Sequence, residues 1–305
     1  MKHSLEVTLV LVGLFLAAQV MGLFITHSYM GDVEVTESGE ISITWQDLPS
    51  IGGVGVERPQ VEPSQGIWLI LIAIIIGTIL LFLIIKMKHE MLWRVWFFLA
   101  VAICLTIAFA VFIGSTAAFF FGFFLAYLKV FRPSIIIQNF TELFVYGGLA
   151  AIFVPMLNKV SVILLLFFIS LYDMYAVWKS KHMIKLAKFQ TKARIFAGML
   201  IPYNMPKMKP IKKKIPKKRL KKIKIKTAIL GGGDVGFPLL FAGVMMRELG
   251  LLKAMIIPVF VSISLLLLLV KGKKDKFYPA MPYLSAGCLA GYGVAWLLNL
   301  AILLL

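Results

Sequence analysis

The chain has 305 residues, 60% of them hydrophobic, 15% charged, and a formal net charge of +18, with a mean hydropathy of +0.92. A soluble domain is about 45–50% apolar, so this composition excludes an ordinary soluble enzyme or binding module and marks a membrane protein. The positive charge is not a nucleic-acid footprint, because Lys and Arg stand in short loops beside apolar runs and no aromatic residues interleave the dense cluster that starts at Lys212.

Apolar runs long enough to cross a bilayer fall, in chain order, at Leu5–Thr26, Ile67–Ile85, Leu92–Ile113, Thr116–Val130, Leu143–Leu157, Val160–Trp178, Thr227–Met246, Leu252–Val270 and Met281–Leu304. The expected fold is all-α, a polytopic membrane helical bundle of about nine transmembrane helices. The fourth and fifth runs are short. The first has the basic start of a secretory signal in Lys2 and His3, and a small-residue patch at Ala17-Ala18. Its apolar stretch continues to Ile25, longer than a signal core, so a retained span is expected. His182–Leu200 is weakly amphipathic and basic, and reads as a surface segment or an extension of the sixth helix.

The extended polar stretches, His27–Gly66 and Pro202–Lys226, are too short for a separate soluble domain. Residues 1–305 therefore read as a single membrane domain. Within it, 1–157 (spans one to five) form an N-terminal scaffold, and 158–305 (spans six to nine, with the basic loop 202–226) form the catalytic half.

Loop charge sets the orientation. The stretch His27–Gly66 carries Asp32, Glu34, Glu37, Glu40, Asp47, Glu57 and Glu62 against Arg58. Lys86, Lys88, Arg94, Lys129, Arg132, Lys179, Lys181, the lysine-rich loop and Lys271–Lys276 all fall on the opposite side once crossings alternate. The positive-inside rule then places the N-terminus inside and the C-terminus outside a cell membrane, with the lysine-rich loop on anionic headgroups.

Other chemistries find little footing. Cys104 and Cys288 lie inside apolar runs, and His3, His27, His89 and His182 are scattered without metal-ligand spacing or an HExxH pattern. No metal and no cofactor is expected.

Two acids remain. Asp173 stands in the sixth run and Asp234 in the seventh, and of the 14 acidic residues they alone read as well inside a span. A carboxylate near mid-bilayer costs a few kcal/mol even on insertion scales. Each lies several residues from the inner end of its run, which places both roughly 8–11 Å below the inner surface on consecutive antiparallel helices. Gly231, Gly232 and Gly233 allow close backbone approach beside Asp234. Two facing carboxyls share a proton. One can then take a proton from water while the other donates to a peptide carbonyl, the chemistry of an aspartic protease. The acid pair alone fits a proton relay or ion site in a transporter equally well.

Tyr172-Asp173 in one run, Gly231-Gly232-Gly233-Asp234 in the next, and Pro279-Ala280-Met281-Pro282 before the last occur in that order. This arrangement resembles the presenilin and signal peptide peptidase family of GxGD intramembrane aspartyl proteases, as a compact microbial homologue. The resemblance implies that Asp173 and Asp234 are the catalytic dyad, that Tyr172, Gly231 and Gly233 support it, and that Pro279, Ala280 and Met281 lie beside the substrate. Met281 departs from the family's usual leucine. Pro238 is similar to the signal peptide peptidase branch, whereas the N-inside orientation resembles presenilin.

The implied function is an endopeptidase that cuts transmembrane peptides or proteins within the bilayer. Partner subunits, oligomeric state and substrate identity stay open. A prepilin-type peptidase, which also uses GxGD, typically carries a lysine two residues on, where this chain has Gly236. A transporter would show an internal repeat, and the two Asp-bearing runs share no pattern beyond Asp.

Three further features follow from local pattern. Pro279–Pro282 cannot be regular helix throughout and could offer free backbone groups to an extended substrate. Gly287 and Gly291 read as a helix-packing contact. The phenylalanines of Phe119–Phe124 are expected to face lipid.

Overall fold

The computed structural model describes residues 5–35, 41–50, 55, 57–62, 65–87, 89–180, 196–203, 227–272 and 278–303. Nine α-helices occur among them: α1 (Leu5–Ser28), α2 (Gly66–Met87), α3 (Glu90–Ile113), α4 (Ser115–Phe131), α5 (Ile135–Phe153), α6 (Lys159–Tyr175), α7 (Gly232–Ala254), α8 (Ile256–Lys271) and α9 (Met281–Leu303). Seven are long and apolar enough to cross a membrane, while α4 and α8 are shorter apolar helices. Two antiparallel strand pairs complete the described chain: β1 (Met30–Val35) with β2 (Ile41–Trp45), and β3 (Gly198–Pro202) with β4 (Thr227–Gly231). The chain is a multi-pass membrane helical bundle.

Two boundaries correct the sequence reading. The fifth helix begins at Ile135, not Leu143. Ser134 caps it, accepting the Ile137 N–H at 3.2 Å. Its polar first turns, with Gln138, Thr141 and Glu142, are buried inside the protein. Glu142 is thus a buried acid within a helical span, which the hydropathy reading placed just outside. In the seventh run, Thr227–Gly231 is strand and the helix starts only at Gly232. A short apolar stretch cannot tell strand from helix by periodicity, and three glycines favour the change of conformation. The helix is broken again at Gly250 (φ +71°), where the chain turns toward α8. Of the His182–Leu200 segment, residues 182–195 lie outside the described residues and Gly198–Leu200 belong to β3, as 204–226 of the basic loop also lie outside them.

The main core unites α1, α5 and α6 to α9, with Leu11, Phe15, Leu165, Leu239 and Phe241 fully buried. A second cluster joins α3 and α4 through Ala102, Leu105, Ala118 and Leu125. Bare backbone makes the tightest crossings possible. Gly147 of α5 faces Gly22 of α1, and Gly148 lies against the Cys104 backbone of α3. A Cβ on Gly287 or Gly291 would stand 3.0 Å from the Val261 Cα or 2.9 Å from the Ile257 Cα, so this pair seats α9 on α8. The phenylalanine run divides. Phe120, Phe121 and Phe124 are exposed, although Phe121 also packs edge-on against Phe109, and Phe123 packs edge-on against Phe98.

At the end of the bundle where α1 gives way to β1, Trp45 of β2 lies between two guanidinium groups, Arg58 at 5.9 Å and Arg247 at 5.2 Å. Arg58 donates to the Ala151 and Gln46 carbonyls, and Arg247 to those of Leu157 and Val154. The hairpin is thereby clamped to the ends of α5 and α7.

Candidate active site

The site is assembled where α6, α7 and α9 meet. Asp173 lies in the last turn of α6. Its carboxylate accepts the Met281 N–H at 3.0 Å, at the first turn of α9, and the Ala280 backbone N–H also reaches it. Pro279 has no N–H of its own, so the donors that Asp173 meets are those freed at a helix start. One turn away on each helix, Ser170 and Ser285 share a buried hydrogen bond of 2.9 Å. That bond fixes how far α6 and α9 slide past each other.

Asp234 lies in the first turn of α7, directly after β4. The Gly231 backbone N–H reaches its carboxylate, and Asp234 lies within electrostatic range of Asp173. A Cβ on Gly231 would stand 3.3 Å from the Asp234 Oδ2, so the bare backbone leaves the carboxylate room. Gly232 and Gly236 border Tyr146 of α5, while Gly233 faces the Phe237 ring. From α1, the buried Gln19 amide donates to the Val235 carbonyl at 2.7 Å.

The residues singled out by sequence fall as follows. Asp173, Asp234, Gly231, Pro279, Ala280 and Met281 are gathered in one region. The Met281 side chain is buried in the core, and its backbone N–H is the group that meets Asp173. Tyr172 is 51% exposed on α6. Among the described residues no group of three or more His, Cys, Asp or Glu could hold a metal ion.

Sequence reasoning missed the α5 groups behind the site. Gln138 donates to the Phe196 and Gly198 carbonyls, each at 2.8 Å. Asn139 both donates to the Leu200 carbonyl (2.8 Å) and accepts its N–H (2.9 Å). These amides close the outer edge of β3. Since the Leu200 peptide groups turn away from β4, those of its partner Ile229 turn to the far side of β4, where no strand pairs with them among the described residues.

Asp173 and Asp234 thus lie within electrostatic range of each other at the α6–α7–α9 junction of a polytopic membrane bundle. Residues 54–301 match the sequence model of the signal-peptide peptidase, presenilin aspartyl protease family, and the chain belongs to that family. Two solved structures share the fold. One presenilin family intramembrane aspartate protease, in space group C222, superimposes with a TM-score of 0.60 at 14% identity over 95% of this chain and 99% of its own. Another, in space group P2, gives 0.57 at 15% identity over 97% and 98%. No curated protein matches the chain.

Proposed function

We propose that the chain is an intramembrane aspartyl endopeptidase whose dyad is Asp173 and Asp234. The observation that carries this reading is the junction itself. A YD aspartate bound by the backbone of Pro279–Met281 lies in electrostatic range of a GGGD aspartate at a strand-to-helix turn. In a dyad holding one proton, the ionised carboxylate takes a proton from water as its oxygen attacks the peptide carbonyl carbon. The carboxylic acid gives its proton to the carbonyl oxygen. Collapse of the tetrahedral intermediate breaks the C–N bond, and the amine leaves with a proton returned by the dyad.

The substrates of this reading are transmembrane segments, which must unwind before cleavage because an intact helix hides its amides. The edge of β4 that no strand pairs with among the described residues runs straight into the Asp234 turn and offers Ile229 peptide groups to an extended segment by strand addition. Tyr172, Gly231 and Gly233 support the dyad, and Pro279, Ala280 and Met281 flank the substrate. The N-terminus lies inside and the C-terminus outside a cell membrane.

Asparagine variants test the dyad. Asn at 173 still accepts the Met281 N–H but cannot ionise. Purified Asp173→Asn and Asp234→Asn proteins, mixed with a transmembrane peptide in detergent, are expected to lose cleavage by on the order of 10²–10⁴-fold each while staying folded. Cleavage at the wild-type rate in either variant overturns the assignment. A proteoliposome ion flux that needs both aspartates, without proteolysis, supports a transporter instead.

A further inference from the structure

We infer that Lys129, Glu142 and Tyr146 form a positioning clamp that holds the Asp234 turn from behind, an inference that rests on Asp234 being one of the two catalytic acids. Lys129 and Glu142 are 3% and 2% exposed. They pair at 2.6 Å between α4 and α5. Glu142 stands seven residues into α5, about 10 Å along the helix. Its carboxylate is fully engaged: Lys129 and Gln138 (2.9 Å) donate to one oxygen and the Tyr146 hydroxyl to the other. Lys129 also donates to Thr141 at 3.0 Å.

Two routes lead from this carboxylate to Asp234. In the first, the Gln138 Nε2, whose two N–H groups are shared among three acceptors, lies within hydrogen-bond reach of Glu142 and of the Phe196 and Gly198 carbonyls at the start of β3. The neighbouring Ala197 carbonyl accepts the Gly232 N–H at 3.1 Å, two residues before Asp234. In the second, the Tyr146 hydroxyl would stand 3.0 Å from a Cβ on Gly232, and its ring 3.8 Å from one on Gly236. The tyrosine is thus wedged against both glycines that flank the aspartate, and its hydroxyl is tied down by Glu142.

A buried ion pair rarely adds net stability over apolar residues of similar volume. Charges kept inside a membrane bundle call for another reason. Here the pair gives Gln138 and Tyr146 a rigid acceptor, and both hold the turn that carries Asp234.

The test separates positioning from folding. Lys129→Met/Glu142→Leu removes both charges together. Glu142→Gln and Tyr146→Phe each keep the shape but weaken one link. Thermal unfolding, kcat and KM for a transmembrane peptide, and amide hydrogen exchange over 227–237 are measured on the full chain in detergent. The double variant is expected to unfold close to the wild-type temperature, with kcat down about 10²-fold and KM little changed, because a small misplacement of a catalytic group costs that much. Exchange at 228–234 is expected to rise about tenfold as the turn opens locally. Wild-type kcat and wild-type exchange in the double variant overturn the clamp. If the double variant does not fold, Tyr146→Phe decides by the same two readouts. If the wild-type protein cleaves nothing, the protease reading fails by itself. The exchange measurement then decides the clamp, with a rise supporting it and no rise overturning it.

Discussion

Asp173 has a structural duty beside its proposed chemistry, and the two can be pulled apart. Its carboxylate accepts the Met281 N–H, so it caps α9 from another helix. Asn caps as well as Asp, whereas Ala removes the cap. Asp173→Ala is therefore expected to unfold about 1 kcal/mol more easily than Asp173→Asn. Denaturant midpoints of the two variants, both inactive, measure the difference. The motif residues were legible in the sequence because their order along the chain is distinctive. Glu142 was not, because Gln138, Asn139, Thr141 and Glu142 interrupt the apolar run and made the fifth span seem to start after them. The spacing of Glu142 and Tyr146, one helical turn apart, was a readable signal that a buried acid had a partner. The Gln138 and Asn139 contacts reach residues 58 and more positions away, and no local pattern announces them.

At the scale of elements, hydropathy located the nine described helices but blurred where helix gives way to strand. The β1–β2 hairpin lay in a stretch read only for its acidity, although Ile41–Trp45 alternates apolar and polar residues as a half-buried strand does. Its root is sensitive to alkali. Tyr29, buried at the end of α1, donates to the Ile107 carbonyl at 2.7 Å. Burial pushes its hydroxyl from 10.0 up to about 12, against a smaller opposing pull from Arg58. The unfolded chain thus gives up this proton first. The stability from Tyr29 is whole below pH 10 and is lost as pH rises through about 12. Thermal midpoints across that window are expected to fall in wild type and to fall less steeply in Tyr29→Phe. Helix spacing gives a second prediction. Gly148→Ala drives a methyl into the Cys104 backbone. Because backbone cannot swing aside, α3 and α5 must part, at a cost of about 1–3 kcal/mol in unfolding measurements.

For the whole molecule, composition and apolar runs predicted the polytopic helical bundle, and the core shows why the order of the helices matters. Helices α1 and α5 share one apolar core with α6 to α9, which joins the first and last parts of the chain. Sequence could not show this, since such packing depends on which glycines face which helices. The sidedness read from loop charge is open to direct labelling. In a background with Cys104 and Cys288 replaced by alanine, Asp47→Cys is expected to react with an impermeant thiol reagent in intact cells. Lys179→Cys is expected to react only after permeabilisation. The reverse pattern would invert the orientation.

Asn139 has a consequence for how many visitors the small ribbon can receive. Its side-chain amide imitates a neighbouring peptide unit, bonding both polar groups of Leu200. One flank is thus occupied by the protein itself, and among the described residues the flank beside Ile229 is the one without a strand partner. Replacing Asn139 with leucine would strip both Leu200 groups of that partner while Gln138 and α5 still cover the flank, so the variant is expected to lose about 1–3 kcal/mol in unfolding measurements rather than to admit a second peptide.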